Sequence, residues 1–203
     1  MGKLNWQLLY EGVPGRDFLA DLPVSGHHLL QRITEHGTAL LKIPAFGNNL
    51  RPLHQLPHVT GFDFGSMGGY YTFAEIEADL DEMFSLYPNL ITQKFSIGTS
   101  IEGRTIWAVK ISDNPNMSEN EPAVGFDALV HAREPQSMAT QMYFMWYLLE
   151  NYGTDSEATY LINNREIYCV PCFNPDGYEY NRQTDPNGGG YWRKNRRNNG
   201  GGC

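Results

Sequence analysis

Cysteine is scarce. Three residues, Cys169, Cys172 and Cys203, occur in 203, too few for a disulfide framework to replace a hydrophobic core. Basic residues are outnumbered: 15 Lys and Arg stand against 23 Asp and Glu, a net charge of −8 with His neutral. The pI near 5.2 follows from the same balance. It argues against a nucleic-acid partner, which calls for a basic excess on some face. Charged residues make up 19% and hydrophobic residues 41%, a globular rather than a disordered composition. No run of about 18 apolar residues occurs, so no segment is suited to crossing a membrane. The amino terminus has a single early lysine, Lys3, and lacks the apolar stretch and small-residue cleavage site of a secretion signal.

What is present divides the chain in two. Residues 1–65 hold five of the six histidines, His27, His28, His36, His54 and His58, together with Pro14, Pro23, Pro44, Pro52 and Pro57. The prolines interrupt any long periodic pattern. A short helix is expected from about His28 to Glu35 and a strand over Thr38–Ile43. This region reads as an N-terminal extension or pro-segment, followed by a glycine-rich linker over Gly61–Gly69. His54 and His58 have the spacing of a zinc-binding helix, but Pro52 and Pro57 disfavour a helix there, so they read as loop histidines. A second domain is expected over 66–203.

In that domain Thr72-Phe-Ala-Glu75 is a capping box. Phe73, Ile76, Leu80, Met83 and Phe84 then recur at helical spacing up to Pro88. The acidic residues Glu75, Glu77, Asp79, Asp81 and Glu82 read as the solvated face of this helix. Strands are expected near Ile91–Ile97 and Thr105–Ile111, joined through Gly98–Gly103 as a hairpin. Ala123–Val130, mostly apolar, is expected as a central strand. Gln136–Tyr152 reads as a largely buried helix ending at Gly153, Glu157–Asn163 as a short helix, and Glu166–Phe173 as a strand. Asn174-Pro-Asp-Gly177 is a strong turn signal. Strands alternating with a buried helix predict an α/β layered sheet, whose ligand sites gather at the carboxyl ends of central strands.

Two segments carry chemistry at such places. His131-Ala-Arg-Glu134 follows a strand directly, and an imidazole and a carboxylate three apart can converge on one zinc ion. Alone, the pattern also fits a surface histidine beside a surface glutamate. Arg193, Lys194, Arg196 and Arg197 cluster in an otherwise acidic chain. They read either as a solvated basic loop or as a guanidinium aimed at a carboxylate or a developing oxyanion. Cys169-Val-Pro-Cys172 has redox-motif spacing, yet it lies in an apolar strand rather than at a helix start, which favours two buried core cysteines.

His131-Ala-Arg-Glu134, Asn174-Pro-Asp-Gly177 and Trp192-Arg-Lys-Asn-Arg196, in this order, resemble the zinc metallocarboxypeptidases of the carboxypeptidase A/B type. Gly68–Glu75, Ser96–Arg104 and Trp146–Gly153 are similar to the same family, so the resemblance spans about Ser66–Cys203. It implies a mixed central β-sheet flanked by helices, incomplete at the C-terminus. It implies one Zn2+, with His131 and Glu134 as its first two ligands. Arg193 matches the arginine that polarises the scissile carbonyl, and Arg133 one that contacts the peptide further from the cut. The implied reaction is hydrolysis of the last peptide bond of a peptide or protein C-terminus. Export is also implied, although no signal is visible.

The family continues with a Gly-Val-Asp-x-Asn-Arg-Asn-like motif and, later, a third ligand histidine, a tyrosine and a general-base glutamate. None has a matching position in this sequence. The chain is therefore expected to be the leading part of a carboxypeptidase, poorly active or inactive alone. The alternative is a non-catalytic peptide- or zinc-binding module derived from the same fold.

Overall fold

The computed structural model describes residues 29–30, 41–42 and 59–200, and the chain divides into two units, Met1–Leu56 and Pro57–Cys203. In the first unit, β1 (Leu29–Leu30) pairs antiparallel with β2 (Leu41–Lys42). An extended pair at Leu29–Leu30 replaces the helix expected there: those backbone groups bond across to 41–42 instead of along the chain. The rest of that expected helix, and His54 and His58, lie outside the described residues.

The second unit opens on Gly61–Gly69, expected as a linker. It packs on the domain instead: a Cβ on Gly61 would stand 2.3 Å from the Trp146 ring, and Glu150 accepts hydrogen bonds from the Thr60 amide at 2.8 and 3.0 Å. Helix α1 (Phe73–Leu86) begins at the expected capping box, with the Thr72 hydroxyl and Glu75 carboxylate satisfying each other's backbone amides. Its acidic residues are not all solvated. Asp79 is buried and accepts from the Trp146 indole at 2.9 Å, because helix α2 (Pro135–Asn151) lays that ring over it.

Four strands form a mixed sheet: β3 (Phe95–Thr99), β4 (Thr105–Ile111), β5 (Ala123–Asp127) and β6 (Glu166–Val170), in the order β3-β4-β6-β5. β4 runs antiparallel to both of its neighbours, β3 and β6, while β5 runs parallel to β6. Helices α2 and α3 (Ser156–Asn164) make the crossover between the parallel strands. The core joins Ile76, Leu80 and Met83 of α1, Met138, Met142, Met145 and Leu148 of α2, and Val109, Ile111, Ile167 and Cys169 of the sheet. Among the described residues no helix is long and apolar enough to cross a membrane.

Two expectations change here. The strand expected over Ala123–Val130 stops at Asp127 and lies at the sheet edge, with alternate residues exposed; β6 takes the interior place. The strand stops because Leu129 adopts the left-handed region, φ 49°, rare for a non-glycine residue. Asn174–Gly177, expected as a turn, starts helix α4 (Pro175–Thr184). Asn174 caps the Gly177 amide at 3.1 Å and Pro175 takes the first helical position, where its missing N–H costs nothing.

Candidate functional site

The carboxyl ends of β5 and β6 are stitched together beyond the strands. The Ala128 amide donates to Val170, the Phe173 amide to Ala128 and the Asn174 amide to Leu129, at 2.9–3.1 Å. Leu129, buried with its left-handed backbone, donates its amide to the Ser137 hydroxyl at 3.0 Å, and that hydroxyl donates to the Glu134 carbonyl at 2.9 Å. The Glu134 amide closes a turn onto the His131 carbonyl at 3.1 Å. This bend turns both side chains the same way: His131 Nδ1 lies 2.8 Å from Glu134 Oε2. Two donors each ~2.0–2.2 Å from one zinc ion stand roughly 3 Å apart. The pair is therefore at chelating separation, and its nitrogen-plus-carboxylate chemistry fits zinc.

Arg193 arrives from a distant loop. Its Nη2 lies 3.0 Å from His131 Nδ1, its Nε 3.7 Å from Glu134 Oε1, and its carbonyl accepts from the Ala132 amide at 3.0 Å. The imidazole, the carboxylate and the guanidinium thus share one partly exposed spot. Arg133 is exposed, and among the described residues no hydrogen bond or ion pair joins it to the other three. Nor does any third His, Cys, Asp or Glu among the described residues come close enough to the pair to complete a three-ligand group.

A layer behind the site was not legible as such. Asp176, buried, accepts from the Ser100 hydroxyl at 2.6 Å, the Glu102 amide at 2.8 Å and Arg104 Nη1 at 2.8 Å. Burial alone would raise this carboxyl, but those donors outweigh it and hold Asp176 below its usual range. The β3–β4 hairpin tip is thereby fastened to α4. From that tip, Glu102 accepts from Arg196 at 3.3 Å. The Arg196 guanidinium lies over Tyr180 at 3.9 Å and Trp192 at 4.5 Å. The signal in the sequence was the aspartate within Asn174–Gly177, which reads as a turn residue until its partners are known.

Elsewhere, Asp113, Glu119 and Glu121 bring carboxylate oxygens within 4.8 Å of one another. Cys169 and Cys172 are buried free thiols. Burial pushes the Cys169 thiol up to about 12 and raises that of Cys172 too, which opposes the thiolate that redox chemistry needs.

A family model described as zinc carboxypeptidase matches residues 76–203. A zinc carboxypeptidase of Saccharothrix mutabilis subsp. capreolus is 38% identical over 146 residues, covering 70% of this chain and 32% of that protein. Mouse carboxypeptidase A2 is 34% identical over 137 residues, covering 68% and 30%. Carboxypeptidase A of Helicoverpa armigera superposes with a TM-score of 0.56 at 31% identity, over 68% of this chain and 31% of that one. Thrombin activatable fibrinolysis inhibitor superposes with a TM-score of 0.58 at 29% identity, over 68% and 33%. The chain thus spans about a third of the length of these relatives. A match over more than half of the chain makes this chain a member of the zinc carboxypeptidase family.

Proposed function

We propose that this chain supplies the first two ligands and the carbonyl-polarising arginine of a zinc-dependent carboxypeptidase acting on peptide or protein C-termini. The observation that carries the reading is the convergence of His131 Nδ1, Glu134 Oε2 and the Arg193 guanidinium within 2.8–3.0 Å of the imidazole. His131, neutral at Nδ1, and ionised Glu134 would hold one zinc ion, since ligands bind deprotonated. Bound zinc supplies Lewis acidity and acidifies water towards a pKa of about 7. Arg193 stays charged and presents N–H donors to the carbonyl oxygen of the scissile bond, stabilising the charge that develops there. Arg133, on the exposed side, contacts the peptide further from the cut.

A catalytic zinc normally takes three protein ligands plus water. Among the described residues only His131 and Glu134 meet at this spot, so full activity needs a third donor and a general base. The same observation favours a second reading, a peptide- or zinc-binding module without catalysis. The test is release of the last residue from a peptide by the complete, zinc-loaded protein, beside the same peptide with an amidated C-terminus. Release from the free acid alone is expected. Equal cleavage of both peptides contradicts an exopeptidase, and binding without cleavage selects the module.

A further inference from the structure

We infer that Asn181 is the positioning residue that sets the distance between the His131–Glu134 pair and Arg193. Asn181 sits on α4 and is 4% exposed. Its Nδ2 donates to the Ala132 carbonyl at 3.0 Å and to the Trp192 carbonyl at 2.8 Å. Its Oδ1 accepts from the Trp192 amide at 2.9 Å. Ala132 lies inside the His131–Glu134 loop, and Trp192 immediately precedes Arg193. One side chain therefore holds a carbonyl of the first segment and both backbone polar groups at the threshold of the second. A backbone link, from the Ala132 amide to the Arg193 carbonyl at 3.0 Å, also joins the two segments directly.

The packing leaves little slack. A Cβ on Gly190 would stand 2.6 Å from Asn181 Oδ1, so the loop runs directly over the amide. A Cβ on Gly177, one turn earlier on α4, would meet the Lys194 carbonyl at 2.6 Å and Ala132 Cβ at 2.8 Å. The position needs two donors and an acceptor in one planar group, which an amide supplies. A carboxylate there keeps the acceptor and loses both donors. An apolar side chain leaves buried backbone groups of Ala132 and Trp192 without these partners, which is costly. Asn181 is a neutral amide. Its effect on chemistry is exerted through where Ala132 and Trp192 place their neighbours.

The kinetic arm of the test rests on the carboxypeptidase reading above; the structural arm does not. On the chain itself, amide hydrogen exchange is measured for Asn181→Ala and Asn181→Asp. Exchange of the Ala132 amide, which Asn181 does not itself bond, is expected to quicken roughly tenfold or more, while the buried α2 amides of Met142 and Met145 keep their rates. An unchanged Ala132 rate overturns the inference, as does a quickening shared equally by α2. In the complete, zinc-loaded protein, Asn181→Asp is expected to lower kcat roughly 10- to 100-fold with KM nearly unchanged. It should add no further loss once Arg193→Ala is present; additive losses overturn the inference. If Arg193→Ala alone leaves kcat unchanged, the carboxypeptidase reading fails instead, and the exchange measurement still decides the positioning role.

Discussion

The loop at 113–121 and the loop at 131–134 both gather side chains able to hold a metal, and they differ in what keeps those side chains in place. The first brings three carboxylates within 4.8 Å of one another. Its groups work against each other: partial burial raises Glu121, and the charges of Glu119 and Asp113 add to the effect. The second offers only two ligand types, but its backbone is fixed by a left-handed Leu129, by Ser137, by Asn181 and by the Arg193 carbonyl. Donor number alone does not make a site. A nitrogen and an oxygen held at chelating distance, with a guanidinium already beside them, are poised for chemistry in a way that mutually repelling carboxylates are not.

The contrast can be broken or sharpened at several points. Arg193→Ala should have the largest kinetic effect, lowering kcat of the complete protein by roughly 10²–10³, the usual size for losing an oxyanion donor. Steady-state kinetics check it, and an unchanged rate would place the arginine outside the reaction. Asp176→Ala removes the shared acceptor of Ser100, Glu102 and Arg104. It should cost about 2–3 kcal/mol in denaturant unfolding, far more than Glu119→Ala in the other loop. A loss equal to that of Glu119→Ala would mean that the hairpin tip is not a fastening point.

A pH-dependent effect concerns the contact between α1 and α2 at Asp79 and Trp146. Burial, with Glu82 and Asp63 adding to it against the Trp146 hydrogen bond, raises the Asp79 carboxyl from 3.8 to about 7. Below pH ~4 it is protonated in both folded and unfolded chains and costs nothing. Between 3.8 and about 7 the unfolded chain ionises while the folded carboxyl stays neutral, so stability falls as pH rises through that window. Asp79→Asn keeps an acceptor for the Trp146 indole and should flatten this slope in thermal unfolding from pH 4 to 7. An identical slope in the variant would remove Asp79 as its source.

Much of the frame was readable because local signals agree with the fold. Thr72 and Glu75 announce the start of α1, and the strand expected near Thr105–Ile111 is β4 to the residue. The methionine-rich run after Pro135 is buried as expected. What was missed depends on partners remote in sequence. Ala123–Val130 is apolar enough for an interior strand, yet the backbone turn at Leu129 ends it early and sheet order puts it at an edge. Asn174–Gly177 has turn chemistry, and the same residue types also cap a helix; the packing of Tyr178 and Asn181 decides between them. Asp79 belongs by spacing to an acidic face and is claimed by an indole from α2. In the site, the motifs pointed to His131, Glu134 and Arg193, which the fold brings together. Asn181 carries no signal of its own and Asp176 reads only as a turn residue, because their partners are backbone groups and a hairpin tip far away in the chain.

The most direct test of the central claim is metal content after dialysis against limiting zinc, measured on the complete protein and on three variants. His131→Ala and Glu134→Ala should lose zinc by more than the roughly 10–100-fold in affinity that removing a supporting contact costs, while Glu119→Gln keeps it in full. Full zinc occupancy in both His131→Ala and Glu134→Ala, or its loss in Glu119→Gln, would contradict the account and move the metal to the other loop.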